Sequence, residues 1–144
     1  MRQKFVLSHR DAWQMVDGVR GRLEPPTPSS QTQGAAIAIV DDHGELIAFL
    51  RTDGCKLPSL NIAINKAFTA AREQKPSKAI GEASQKAPFP MSNFGDLRYT
   101  AWGGGVPIIY QGEVLGAIGI SGLPEAEDMR LAQEAVDNFI QQLG

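Results

Sequence analysis

Two segments of this chain share one pattern, and that pattern restricts the fold more than any other feature. From Gly34 to Leu50, an apolar run ending at Val40 leads into the polar turn Asp41-Asp42-His43-Gly44, then Glu45 and a second apolar run. From Gly103 to Gly122, a run ending at Ile109 leads into Tyr110-Gln111-Gly112, then Glu113 and the run Val114 to Ile120. An apolar run, a glycine-bearing turn and another apolar run read as a β-hairpin. The strands are apolar at nearly every position instead of alternating, so both faces of the sheet need cover. Two hairpins predict an antiparallel sheet of about four strands, with residues 4–7 as an added edge strand.

The rest of the chain supplies the cover. Ser8 with Asp11 three positions on reads as a helix start, and Ala12, Met15, Val16, Val19 and Leu23 follow at helical spacing. Gly18 and Gly21 weaken that helix, each by about 1 kcal/mol relative to Ala. Residues 24–33 carry three prolines, which block helix and ladder alike, and read as a linker. Residues 58–75 predict the clearest helix, with an apolar stripe of Leu60, Ala63, Ile64, Ala67, Phe68 and Ala71. Asn61, Asn65, Thr69 and Lys66 fall on its other side, and Pro76 ends it.

Residues 77–100 are irregular, with short helical turns around 78–85 and 93–97, yet they carry Phe89, Met91, Phe94 and Tyr99, with Trp102 just beyond. A connection so rich in aromatics covers something. Pro124 opens a last helix whose first turn holds Glu125, Glu127 and Asp128, where the helix dipole favours negative charge. Met129, Ala132, Val136, Phe139 and Leu143 form its apolar stripe. The expectation is an α/β fold of the layered α+β kind, an antiparallel sheet with helices on both faces, in one domain over residues 1–144.

Composition removes several classes of function. At 42% hydrophobic and 21% charged, the chain is an ordinary globular protein. A net charge of -2 without any Lys/Arg run argues against nucleic-acid binding. No apolar stretch is long enough to span a bilayer, and the N-terminus moves straight into polar residues, unlike a signal peptide. The single cysteine, Cys55, rules out an internal disulfide framework and fits a cytoplasmic location.

Several short blocks then fall in a fixed order: Asp41-x-x-Gly44, Asp53-Gly54, Lys66-Ala67-x-Thr69-Ala70, Gly103-Gly104-Gly105-Val106-Pro107-Ile108, Gly112-Glu113 and Gly116-Ala117-Ile118-Gly119-Ile120-Ser121-Gly122, with Asp128 after them. Covering roughly residues 34–140, this set resembles the GlcG/HbpS family, which includes the C-terminal domain of the PduO-type corrinoid adenosyltransferases. The resemblance implies a profilin-like layered fold, homo-oligomers and, for some members, haem binding. It transmits neither a reaction nor an axial ligand. The chain departs from the pattern at Cys55, where alanine is commoner, at Asn61, where an acidic residue is expected, and in its long Pro-rich linker.

The candidate site residues each have a plain alternative. The run Gly103-Gly104-Gly105 exposes backbone N–H groups suited to a carboxylate or propionate, or it is a flexible entry into a buried strand. It precedes a strand, so it is not a dinucleotide fingerprint. With the family pattern, Lys66 and Thr69 read as ligand-binding beside Asp53; without it, they read as a solvated helix face. His9 and His43 are the haem-ligand candidates, with Met91 a softer one, and the spacing offers no structural zinc site. Cys55 lies just ahead of a helix N-terminus, which lowers a thiol pKa, but neither histidine adjoins it in sequence. Ser121 lacks the G-x-S-x-G frame of a nucleophile elbow.

The leading expectation is an oligomeric small-ligand-binding protein, with haem or another tetrapyrrole as ligand. The alternative is an enzyme acting on a small carboxylic or aromatic acid through Asp53 and Lys66. A third reading takes Phe89, Phe94 and Trp102 as anchors of a subunit interface.

Overall fold

The backbone N–H of Asp11 donates to Ser8 Oγ at 3.1 Å, and the N–H of Ser8 donates to Asp11 Oδ2 at 2.9 Å. This reciprocal cap starts α1 (His9–Leu23) in the computed structural model, which describes residues 1–23 and 34–144. The linker expected at 24–33 lies outside the described residues. The chain continues through β1 (Ala36–Asp41), β2 (Leu46–Arg51), α2 (Pro58–Glu73), α3 (Ser77–Lys86), a 3-10 turn (Met91–Phe94), β3 (Gly105–Tyr110), β4 (Glu113–Ser121) and α4 (Glu125–Gln142). Both expected hairpins form, and they join through β1 and β4 into one antiparallel sheet of order β2-β1-β4-β3.

The two faces of the sheet are packed with side chains of different size. Ile37, Ile39, Ile118 and Ile120 point toward α1 and α4, where Val16, Val19, Leu131 and Phe139 meet them. On the opposite face, Ala36, Ala38, Val40 and Ala117 meet Ala63, Ala67 and Ala70 of α2. Small side chains on both partners let α2 lie close to the sheet. A Cβ placed at Gly119 would collide with the Ala63 carbonyl, so the approach requires glycine there.

Three local expectations need correction. Residues 4–7 form no fifth strand; side chains hold this segment in place, Lys4 by an ion pair to Asp42, Phe5 edge-on to Tyr110 and Leu7 close to Gly116. Cover on both faces holds for β1 and most of β4, but β2 is only half-buried because α1 packs on it while α2 lies over β1, β4 and β3. In α4 the buried stripe is Asp128, Leu131, Ala132, Ala135, Val136 and Phe139, whereas Met129 is half-buried and Leu143 exposed.

The aromatic connection is an internal cover. Tyr99 stacks on Phe94 at 4.2 Å between ring centroids and meets Phe68 of α2 edge-on at 5.3 Å. Phe89 in turn meets Phe94 edge-on. Phe89 and Phe94, offered as interface anchors, are therefore partly occupied within the chain, while Trp102 stays 58% exposed.

Candidate functional site

The Lys66, Gly103–Gly105 and Gly116–Gly122 blocks converge with Asp128 on a buried ion pair. Lys66, on α2, is 3% exposed, and its ammonium donates to the Ile120 carbonyl at 2.8 Å and to Asp128 Oδ2 at 3.1 Å. Asp128, equally buried at the start of α4, accepts the Leu123 N–H on its other oxygen at 3.1 Å. Burial, the largest influence on it, pushes the Asp128 carboxyl above its ordinary value against the pull of Lys66. One lysine thus joins α2, the end of β4 and the first turn of α4. A pair removed so far from water is held by its geometry, and losing either partner leaves a buried charge alone.

The glycine run is shaped around this pair. Gly104 has φ +126°, and a Cβ there would press on Lys66 Nζ, Asp128 Cβ and the Ile120 carbonyl. A Cβ at Gly105 would collide with the Lys66 carbonyl. Two N–H groups of the run already have partners: Gly103 N donates to Glu125 Oε2 at 3.1 Å and Gly105 N to Ser77 Oγ at 2.9 Å. Glu125 is also bonded by Lys78, and these two hydrogen bonds, Lys78 first, hold its carboxyl below the ordinary value. Thr69, fully buried, accepts the Thr100 N–H at 3.0 Å and donates to Asn65 O at 2.8 Å, so it tethers the aromatic connection to α2.

Beside the pair lies a cleft of about 310 Å³ lined by Ser59, Lys66, Trp102, Ser121, Glu125 and Asp128, among others. Asp53 is not part of its lining; it sits exposed in the turn after β2. Lys66, Thr69 and Gly103–Gly105 therefore gather in one region with Asp128, while Asp53 stays apart. Asp128 is the partner that pairwise reading of the sequence did not assign to Lys66. Its spacing to Leu131, Ala132 and Ala135 carried the signal, because it puts a carboxylate on the buried stripe of an amphipathic helix.

The histidines lie elsewhere. His9 opens α1 on the surface. His43 occupies the β1–β2 turn with its side chain 73% exposed and Nδ1 at 3.5 Å from Asp42 Oδ1. Arg72 donates from Nε to the His43 carbonyl, and its guanidinium lies over the Phe68 ring at 4.8 Å. Arg98 covers the same ring at 3.9 Å, so the turn is flanked by two cations on an aromatic base. Asp41, Asp42 and His43 bring ligand atoms within 4.8 Å of one another. Asp41 Oδ1 nevertheless serves the turn itself, accepting the N–H groups of His43 and Glu45, and Asp42 is paired with Lys4. Cys55 is half-buried, and burial pushes its thiol pKa up, the wrong direction for a nucleophile. Met91 begins the 3-10 turn, and Ser121 is buried at the end of β4.

An antiparallel four-stranded sheet between an alanine-faced helix and a helix pair, locked by a lysine–aspartate pair across a glycine run, defines a layered α+β class. The chain belongs to the HbpS-like family, described as haem degrading protein HbpS-like, which it matches over residues 7–137. It is 31% identical over 127 residues to Protein GlcG of Escherichia coli (strain K12), covering 84% of this chain and 85% of GlcG. Among solved structures, it is similar to Klebsiella pneumoniae protein ORFY, with a TM-score of 0.83, 27% identity and coverage of 96% and 94% of the two chains. It shares its fold with the PduOC:heme complex, with a TM-score of 0.79, 24% identity and coverage of 92% and 94%.

Proposed function

We propose that this protein is a cytoplasmic, homo-oligomeric, single-domain binding protein whose ligand is haem or another tetrapyrrole. Membership of the HbpS-like family and the shared fold with a haem complex motivate the reading. The observation that carries it on this chain is the His43 turn. There an exposed imidazole stands beside the Arg72 and Arg98 guanidiniums on the aromatic base of Phe68 and Tyr99. These residues fit the group. Asp42 Oδ1 lies 3.5 Å from Nδ1, so Nε2 is the nitrogen open to iron. Arg72 suits a propionate, whereas Arg98 is already bonded by Asp96 and Glu45. Haem, when bound, would supply an iron that changes oxidation state. His9 is the second ligand candidate, exposed at the other end of residues 1–8 from Met1.

Absorbance titration with haemin tests this reading. The expected result is a saturable, shifted Soret band that His43→Ala abolishes and His9→Ala leaves in place. Loss in His9→Ala alone moves the ligand to α1. A spectrum that stays that of free haemin at stoichiometric protein overturns the reading.

The cleft beside Lys66 supports a second reading, a site for a small carboxylic or aromatic acid, since Ser59, Ser121 and Lys66 offer donors there. In an enzyme of this kind, Lys66 would exchange protons with Asp128 in place of Asp53, because Asp128 is the carboxylate within reach. Unchanged turnover of an identified substrate in Lys66→Met would remove Lys66 from that chemistry.

A further inference from the structure

The turn between β1 and β2 is held from several sides. Asp41 Oδ1 accepts the His43 and Glu45 N–H groups, and the Gly44 N–H donates to the Asp41 carbonyl at 3.0 Å. Gly44, at φ +89°, sits so near the Phe68 ring that a Cβ there would press on it. From α2, Arg72 adds a further hold, because its Nε donates to the His43 carbonyl. The backbone that carries the imidazole is thereby fixed, while the side chain stays exposed.

The charges around this turn are committed to one another, with Arg72 as the exception. Lys4 is paired with Asp42. Arg98 spends Nε, Nη1 and Nη2 on Asp96 and Glu45. Asp96 is the acid that feels the charge of Arg72, yet both its carboxylate oxygens are taken by Arg98. Glu73, next in sequence, accepts the Tyr99 hydroxyl. Arg72 itself is exposed, lies over the Phe68 ring at 4.8 Å and has no ion pair among the described residues.

A guanidinium presents five N–H donors in one rigid plane. With Nε on the His43 carbonyl, the edge formed by Nη1 and Nη2 remains, and its spacing matches the two oxygens of a carboxylate. The Nε bond and the Phe68 ring already hold that edge in place, so little side-chain freedom is lost when it binds. An ester or a primary amide at the same point offers a neutral carbonyl and no charge, which makes a weaker partner for the fork.

We propose that Arg72 is the specificity-determining residue of the His43 turn: its Nη1 and Nη2 take one peripheral carboxylate of a tetrapyrrole, so that carboxylate-bearing tetrapyrroles are favoured over esterified or amidated ones. This rests on the haem reading above and narrows the class of ligand within it.

Paired titrations with haemin and haemin dimethyl ester, in one mixed aqueous solvent at fixed ionic strength, test it on wild type and Arg72→Gln. The Soret band reports each dissociation constant, and circular dichroism verifies folding. The ratio of the two constants decides, since a loosened His43 turn weakens both ligands alike and leaves the ratio unchanged. The expected result is a preference for haemin of about tenfold in wild type, falling to about one in Arg72→Gln through the haemin constant. A preference that survives in Arg72→Gln, or a loss of both ligands there, overturns the assignment to Arg72. Equal affinities of wild type for the two ligands overturn carboxylate selection itself. In each of these cases, saturable binding of haemin to wild type leaves the haem reading standing. A wild type that shifts neither Soret band overturns the haem reading and this inference with it.

Discussion

Lys66 and Asp128 behave as one unit, and the consequences of separating them follow from burial. Lys66→Met leaves the Asp128 carboxylate 3% exposed with the Leu123 N–H as its remaining partner. The expected loss is about 3–5 kcal/mol in urea denaturation, and Asp128→Leu added to it should recover part of that. Glu125 gives a pH signature. Its carboxyl titrates below its unfolded value because Lys78 and Gly103 bond it. Its contribution is therefore complete above the ordinary carboxylate range and lost as pH falls through the lowered folded value. Wild type should lose more stability than Glu125→Gln between pH 6 and about pH 3, measured as urea midpoints; equal losses would contradict the assignment. Family-like blocks made Lys66, Thr69 and Gly103–Gly105 legible in the sequence, but not which acid meets the lysine. Asp53 is near Lys66 in sequence, whereas the Asp128 contact depends on how the β4–α4 connection turns and on the close packing at Gly104. No local pattern records that geometry.

Among the elements, the closeness of α2 to the sheet predicts which glycines tolerate change. Gly105→Ala would drive a methyl into the Lys66 carbonyl and displace α2, at a cost of about 2–4 kcal/mol in chemical denaturation. Gly18→Ala in α1 has nothing within 4 Å of the new methyl and should stabilise by about 0.5–1 kcal/mol, read as a raised Tm. The same substitution thus has opposite signs at the two glycines. The hairpins, α2 and the Pro124-opened α4 were readable because strand and helix periods are local. The order β2-β1-β4-β3 was not, since it joins the hairpins through strands distant in sequence. That order puts β2 at an edge beyond the reach of α2, which is why its apolar run is half-exposed instead of covered. The N-terminal segment was expected to add an edge strand, but side-chain contacts to Asp42, Tyr110 and Gly116 position it without a ladder.

At the scale of the molecule, the lysine–aspartate lock, the tethered aromatic connection and the two-sided cover tie the helices to the sheet. The His43 turn stays exposed beside them. No helix among the described residues is long and apolar enough to cross a membrane. The proposed function makes this protein a homo-oligomeric haem-binding protein with the ligand at the exposed His43 turn. Native mass spectrometry of the protein incubated with a slight excess of haemin reads both properties in one spectrum. The expected spectrum holds assemblies of more than one chain, each chain carrying one haem, and haem-free assemblies of the same size for His43→Ala. A spectrum of haem-free single chains would contradict it.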